Sequence, residues 1–75
     1  MNLKVGDEVG WLWANGLAIG KVKEIHATKH SIVSKGKTIT RNGKPDDPAV
    51  VIEHKRGNLV IKLYHELQNV KEPIN

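Results

Sequence analysis

Apolar and polar residues alternate from residue 8 to residue 13. Val9, Trp11 and Trp13 fall on one face and Glu8, Gly10 and Leu12 on the other, the two-residue period of a strand with one side buried. Ala14-Asn15-Gly16 then supplies a turn, because Asn and Gly accept the positive φ of tight hairpin loops. A second strand follows over residues 17–25. Val22 and Ile25 are three apart, which breaks strict alternation. A bulge near Lys23-Glu24 restores both to the core, and Gly20 marks a bend where the sheet curls. Gly6-Asp7 is the bend that launches the first strand, with Asp7 bonded to its own local backbone.

Residues 26–48 are polar and basic. Ile32-Val33 and Thr38-Ile39-Thr40 are short β-prone pieces around Ser34-Lys35-Gly36-Lys37, a small second hairpin or an excursion from the main fold. Residues 41–48, with an Asn-Gly pair and two prolines, have the composition of a mobile loop, where binding surfaces often sit. Two β-branched runs, residues 49–53 and 59–63, flank a Lys55-Arg56-Gly57-Asn58 turn and are apolar enough for partial burial on both sides. Residues 64–67 suggest one helical turn, residues 68–70 a last short strand, and residues 72–75 a frayed end.

This pattern predicts one all-β domain over residues 1–75, with its core between about residues 4 and 70. The expected architecture is a small SH3-like barrel of about five strands with one long basic loop and a short helical turn near the C-terminus. Val9, Trp11, Val22, Ile25, Ile52, Ile61 and Leu67 are the expected core. The facing of Trp13, core or surface, stays open.

Composition narrows the means of support. At 75 residues the chain buries only roughly 60% of the surface its unfolded form exposes, so stability on the order of a few kcal/mol is expected. With no cysteine it has neither a disulfide nor a thiolate zinc site, and must rest on apolar packing. No apolar run approaches the ~18 residues of a membrane span, and the first residues lack the apolar stretch of a signal peptide, so a cytoplasmic location is expected.

Twelve Lys and Arg against eight Asp and Glu give a net charge of +4. That balance suits a polyanionic partner and equally suits a small domain that must stay dispersed.

The residues resemble a known family. Gly6-Asp7-x-Val9-x-Trp11, then Gly20-Lys21-Val22-x-x-Ile25, Lys35-Gly36-Lys37, Asp46-Asp47-Pro48 and Val51-x-Glu53 are similar in order and spacing to the hypervirulence-associated TUDOR domain, a small bacterial domain. Gly57 and Leu67 fit its ending, and the likeness covers about residues 4–70. The resemblance implies a TUDOR-like variant of the SH3-like barrel and brings no activity with it; a fold relation does not license methyl-lysine recognition. Leu63-Tyr64 and the second tryptophan, Trp13, depart from the family pattern.

Candidate chemistry is sparse. There is no cysteine nucleophile, no G-x-x-x-x-G-K-[ST] loop and no G-x-S-x-G elbow, so no enzyme is expected. Asp46-Asp47 is a paired carboxylate, and adjacent residues point apart; it suits a loop cap or a partner for a nearby Lys. His26 and His30 have the i, i+4 spacing that joins imidazoles on a helix, yet lie in a strand end and loop with no Glu or Cys beside them. His54 and His65 stand alone. No metal site and no cofactor are expected. An aromatic cage would need converging rings, and the chain owns three: Trp11, Trp13 and Tyr64.

Nucleic-acid binding has the best charge basis. Lys35, Lys37, Arg41 and Lys44 form the candidate polyanion contacts, joined by Lys29, with Trp13 and Tyr64 as candidate stacking surfaces. The alternative is a protein- or peptide-interaction module whose basic loop serves only solubility, taking up a strand in a groove or on an open edge. A monomer or weak homo-oligomer fits either.

Overall fold

Strand β1 (Glu8–Trp13) turns Val9 and Trp11 inward as its alternation requires, and it pairs antiparallel with β2 (Gly16–His26). The computed structural model describes residues 2–14 and 16–69. Asn15, expected in the β1–β2 turn, lies outside the described residues, as do the expected strand end at residue 70 and the frayed end at residues 72–75. Asp7 makes the expected local bond: its carboxylate accepts the Lys4 N–H at 2.9 Å.

The bulge in β2 is present. Its register against β5 (Ala49–His54) runs Val22↔Ile52 and then Glu24↔Val51, skipping Lys23. Val22 is buried and Ile25 packs on the same core, as their spacing demanded. At Gly20 β2 runs tight against β5: a Cβ there would sit 2.7 Å from Ile52 Cγ2 and 2.5 Å from the Glu53 carbonyl oxygen.

The segment after β2 forms the second hairpin, larger than its β-prone pieces suggested. β3 (Lys29–Ser34) pairs with β4 (Lys37–Asn42), so Arg41 and Asn42 belong to a strand and the irregular stretch shrinks to residues 43–48. Even there, Lys44 and Asp47 exchange both backbone hydrogen bonds, at 3.0 and 3.1 Å. β6 (Leu59–Leu63) pairs with β5, a single 3-10 turn spans Tyr64–Glu66, and β7 (Leu67–Asn69) pairs with β1.

The main sheet therefore runs β6-β5-β2-β1-β7, with β3-β4 as a separate two-stranded sheet. Laid flat, the two borders of a five-stranded sheet would stand about 19 Å apart. The chain passes from one border to the other between Leu63 and Leu67, a step of at most about 14 Å. Only a curled sheet permits that, and the result is a small all-β barrel, SH3-like as expected.

Strand β5 is buried on both faces. Val50 and Ile52 join Val9, Trp11, Ala18 and Val22 in one cluster, with Ile25, Val60 and Leu67 packed against it. Ala49 and Val51 point the other way and meet Ile61 and Ile32, flanked by Leu59 and Leu63. Ile32 comes from the hairpin, so β3-β4 lies against the outer face of β5 and β6 as a second layer. Every residue expected in the core is buried or packed on it, but Ile61 belongs to this second cluster.

Candidate functional site

The hairpin is anchored along β6 at both ends. At its tip, Lys35 and Gly36 have φ of 53° and 78° between the paired Ser34 and Lys37. Two consecutive positive φ values make the turn whose twist suits a two-residue β-hairpin, and Gly36 adopts its share freely. Here the Ser34 hydroxyl donates to the Leu59 carbonyl at 2.9 Å. At the base, Arg41 Nη2 donates to Glu66 Oε1 at 2.6 Å, and the same carboxylate oxygen accepts the Leu63 N–H at 2.8 Å. Burial raises the affinity of Glu66 for a proton, but the bonds from Arg41 and Leu63 outweigh it and hold the carboxyl below its ordinary range.

Between these anchors lies an open groove of about 300 Å³. Lys35, Ile39 and Arg41 form one wall; Leu59, Val60, Ile61 and Lys62 form the other. The second wall is the border of the main sheet, since β6 pairs only with β5. The Leu59 carbonyl and the Leu63 N–H point away from β5, to Ser34 and Glu66. Antiparallel pairing alternates every residue, so the N–H and C=O of Ile61 lie on that same outward edge. The groove thus offers an apolar floor and three cations along a sheet border, with Ile61 itself buried beneath it.

The residues singled out from the sequence divide. Lys35 and Arg41 line the groove together with Lys62, which sequence reading passed over because it sits within the apolar run of β6. Lys37 stands opposite Ser34 outside the lining, and Lys44 lies in the bridged loop beyond β4. Trp13 is 61% exposed, which answers the question of its facing. It pairs with Gly16 at the start of β2, whereas the hairpin follows the end of that eleven-residue strand. Tyr64 is half-buried at the start of the 3-10 turn, its N–H bonded to the Pro48 carbonyl at 2.9 Å. Trp11 is buried with its ring in a T-shaped arrangement with that of His54, centroids 6.0 Å apart. Among the described residues the three large rings do not converge into a cage.

Two expectations about histidines need correction. His65 does not stand alone: Asp47 accepts its backbone N–H and contacts its Nδ1, each at 2.8 Å. The hydrogen bonds from the His65 side chain and then its backbone lower the Asp47 carboxyl below its ordinary range. Asp47 is the expected loop cap, with a histidine as partner. Nor do His26 and His30 lack an acid. Glu24 Oε1 lies 2.8 Å from His26 Nε2 and 3.4 Å from His30 Nε2. The signal was Glu24-x-His26, a spacing that puts two side chains on one face of a strand; judging the pair by helical spacing concealed it.

Among the described residues no helix is long and apolar enough to cross a membrane. A family model described as "Hypervirulence associated proteins TUDOR domain" matches residues 6–67. No curated protein and no solved structure matches the chain.

Proposed function

Because the chain belongs to the hypervirulence-associated TUDOR domain family, whose all-β barrel suits a small binding module, we propose that it is a non-enzymatic module that takes up an extended acidic peptide. The peptide lies in the groove between β3-β4 and β6, along the border of the main sheet. The observation that carries this is the open groove along the β6 border of the main sheet, apolar within and flanked by Lys35 and Lys62. Ile39 and Leu59 offer apolar contact for alternate side chains, and Lys35 and Lys62 supply charge. Among the described residues neither lysine is ion-paired, whereas Arg41 already holds Glu66.

Single-stranded nucleic acid is the competing occupant. Against it, Arg41 is neutralised by Glu66, and Trp13 stands at the far end of β2 from the basic hairpin. The combination of stacking ring and phosphate clamp that such binding uses is therefore not assembled around the groove.

The test is an NMR titration of isotope-labelled protein with six-residue Asp/Glu-rich peptides and, separately, with single-stranded oligonucleotides at two salt concentrations. Peptide-induced shifts centred on the amides of Val60, Ile61, Lys62 and Lys35, lost in a Lys35→Glu/Lys62→Glu variant, support the proposal. Binding of the oligonucleotide alone, with shifts at Lys37 and Lys44, overturns it in favour of the polyanion role. Absence of peptide shifts at low salt overturns it outright.

A further inference from the structure

The corner where β2 gives way to β3 gathers a ligand set that the groove does not use. Glu24 and His26 lie near the end of β2, and His30 lies on β3 after a turn through Ala27 and Thr28. The two imidazoles stack with centroids 3.6 Å apart and planes within 11°. The same carboxylate oxygen accepts a hydrogen bond from His26 Nε2 at 2.8 Å and lies 3.4 Å from His30 Nε2, and the three ligand atoms all lie within 4.8 Å of one another.

We propose that Glu24, His26 and His30 form a binding site for a late first-row divalent cation, with zinc as its occupant. Tetrahedral zinc with bonds of about 2.0–2.1 Å holds its ligand atoms roughly 3.3 Å apart. The two separations from Glu24 Oε1 bracket that value, and an ion is seated once the stacked rings splay apart to aim both Nε2 lone pairs at it. Two neutral imidazoles and one carboxylate suit zinc, nickel or copper and exclude preference for magnesium or calcium, which favour all-oxygen shells. The side chains are 31%, 29% and 54% exposed for His26, His30 and Glu24, which leaves the fourth position to water.

The backbone at this corner is fixed independently of any ion. His26 pairs with Ala49, and His30 pairs with Arg41. Gly43 tucks beneath them so closely that a Cβ would meet the Thr28 carbonyl oxygen at 2.7 Å. The site is thus built on two strand ends held at a set distance, the support a metal needs before it arrives. An ion there cross-links the main sheet to the hairpin.

The test uses the untagged, chelator-treated chain and Zn²⁺ alone, followed by calorimetric titration and by the ring-proton signals of the four histidines. One ion per chain is expected, with shifts confined to the rings of His26 and His30. Binding is expected to vanish in His30→Ala and in Glu24→Gln, and to survive in His65→Ala. Circular dichroism confirms that each variant is folded, and the wild-type ring shifts report the site even if one variant is not. Titration without saturable binding overturns the proposal, as does binding that survives His30→Ala or shifts confined to His54 or His65.

Discussion

Arg41 on the hairpin and Glu66 in the turn that closes the sheet meet at 2.6 Å, twenty-five residues apart in the chain. The contact ties the outer layer to the one link between the borders of the barrel. Because bonding lowers the folded-state pKa of Glu66, its contribution to stability is complete above the unfolded value of about 4.3 and fades as pH falls through the lower folded value. Glu66→Gln should cost about 1 kcal/mol at neutral pH and flatten the acid limb of the stability curve. Urea midpoints from pH 7 to pH 2.5, for wild type and variant, check both.

Asp47 follows the same sign. Its carboxyl is lowered by the His65 side chain and backbone, so it favours folding above about pH 4 and loses that effect at lower pH. In Asp47→Asn the amide oxygen can still accept the His65 N–H. The expected result is an acid titration without the Asp47 component while the 3-10 turn keeps its amide protection. A carbon-detected carboxyl titration measures it.

The two tryptophans should behave as opposites although they share a strand. Trp11 is 4% exposed and Trp13 61% exposed. Trp11→Ala is expected to cost about 3–5 kcal/mol, enough to unfold so small a domain, whereas Trp13→Ser should stay within about 0.5 kcal/mol. Thermal denaturation separates them. In wild type, an aqueous quencher should reach about one indole of the two.

Lys35 holds a positive φ that a branched-free but bulky side chain tolerates poorly. Lys35→Asn should stabilise the hairpin by about 0.5–1 kcal/mol, since Asn visits that conformation readily. The same change removes a groove cation. Higher melting temperature with weaker acidic-peptide binding is the expected pairing, and a gain in both would contradict the groove assignment.

Gly20→Ala should cost about 2–3 kcal/mol, because the new methyl would press on Ile52 and on the Glu53 backbone rather than on a movable side-chain end. The loss should show as faster amide exchange in β2 and β5 together.

Much of this architecture is written locally. The three-residue gap between Val22 and Ile25 demanded a bulge, and the unbroken apolar run at residues 49–52 demanded walls on both sides; both are present. What the chain concealed is what depends on distant pairing. No local pattern tells that Arg41 finds Glu66 or that Asp47 finds His65, since those meetings exist only after the sheet has curled. Lys62 was hidden for a different reason. One charge in an apolar strand gives no signal until the border it occupies is known to be open. Composition also misjudged the basic segment, because buried Ile32 together with the Ser34 and Arg41 anchors docks a hairpin that is mostly polar.

Strand β5 serves as a shared partition, and that constrains how such a chain can change. A substitution at Val50 or Ile52 strains the chamber holding Trp11, while one at Ala49 or Val51 loosens the hairpin's seat. A slip of the strand by one residue exchanges the two sets. Descendants of this sequence can redecorate the hairpin away from Ile32, Ser34 and Arg41, but they must carry those four positions of β5 forward as a block.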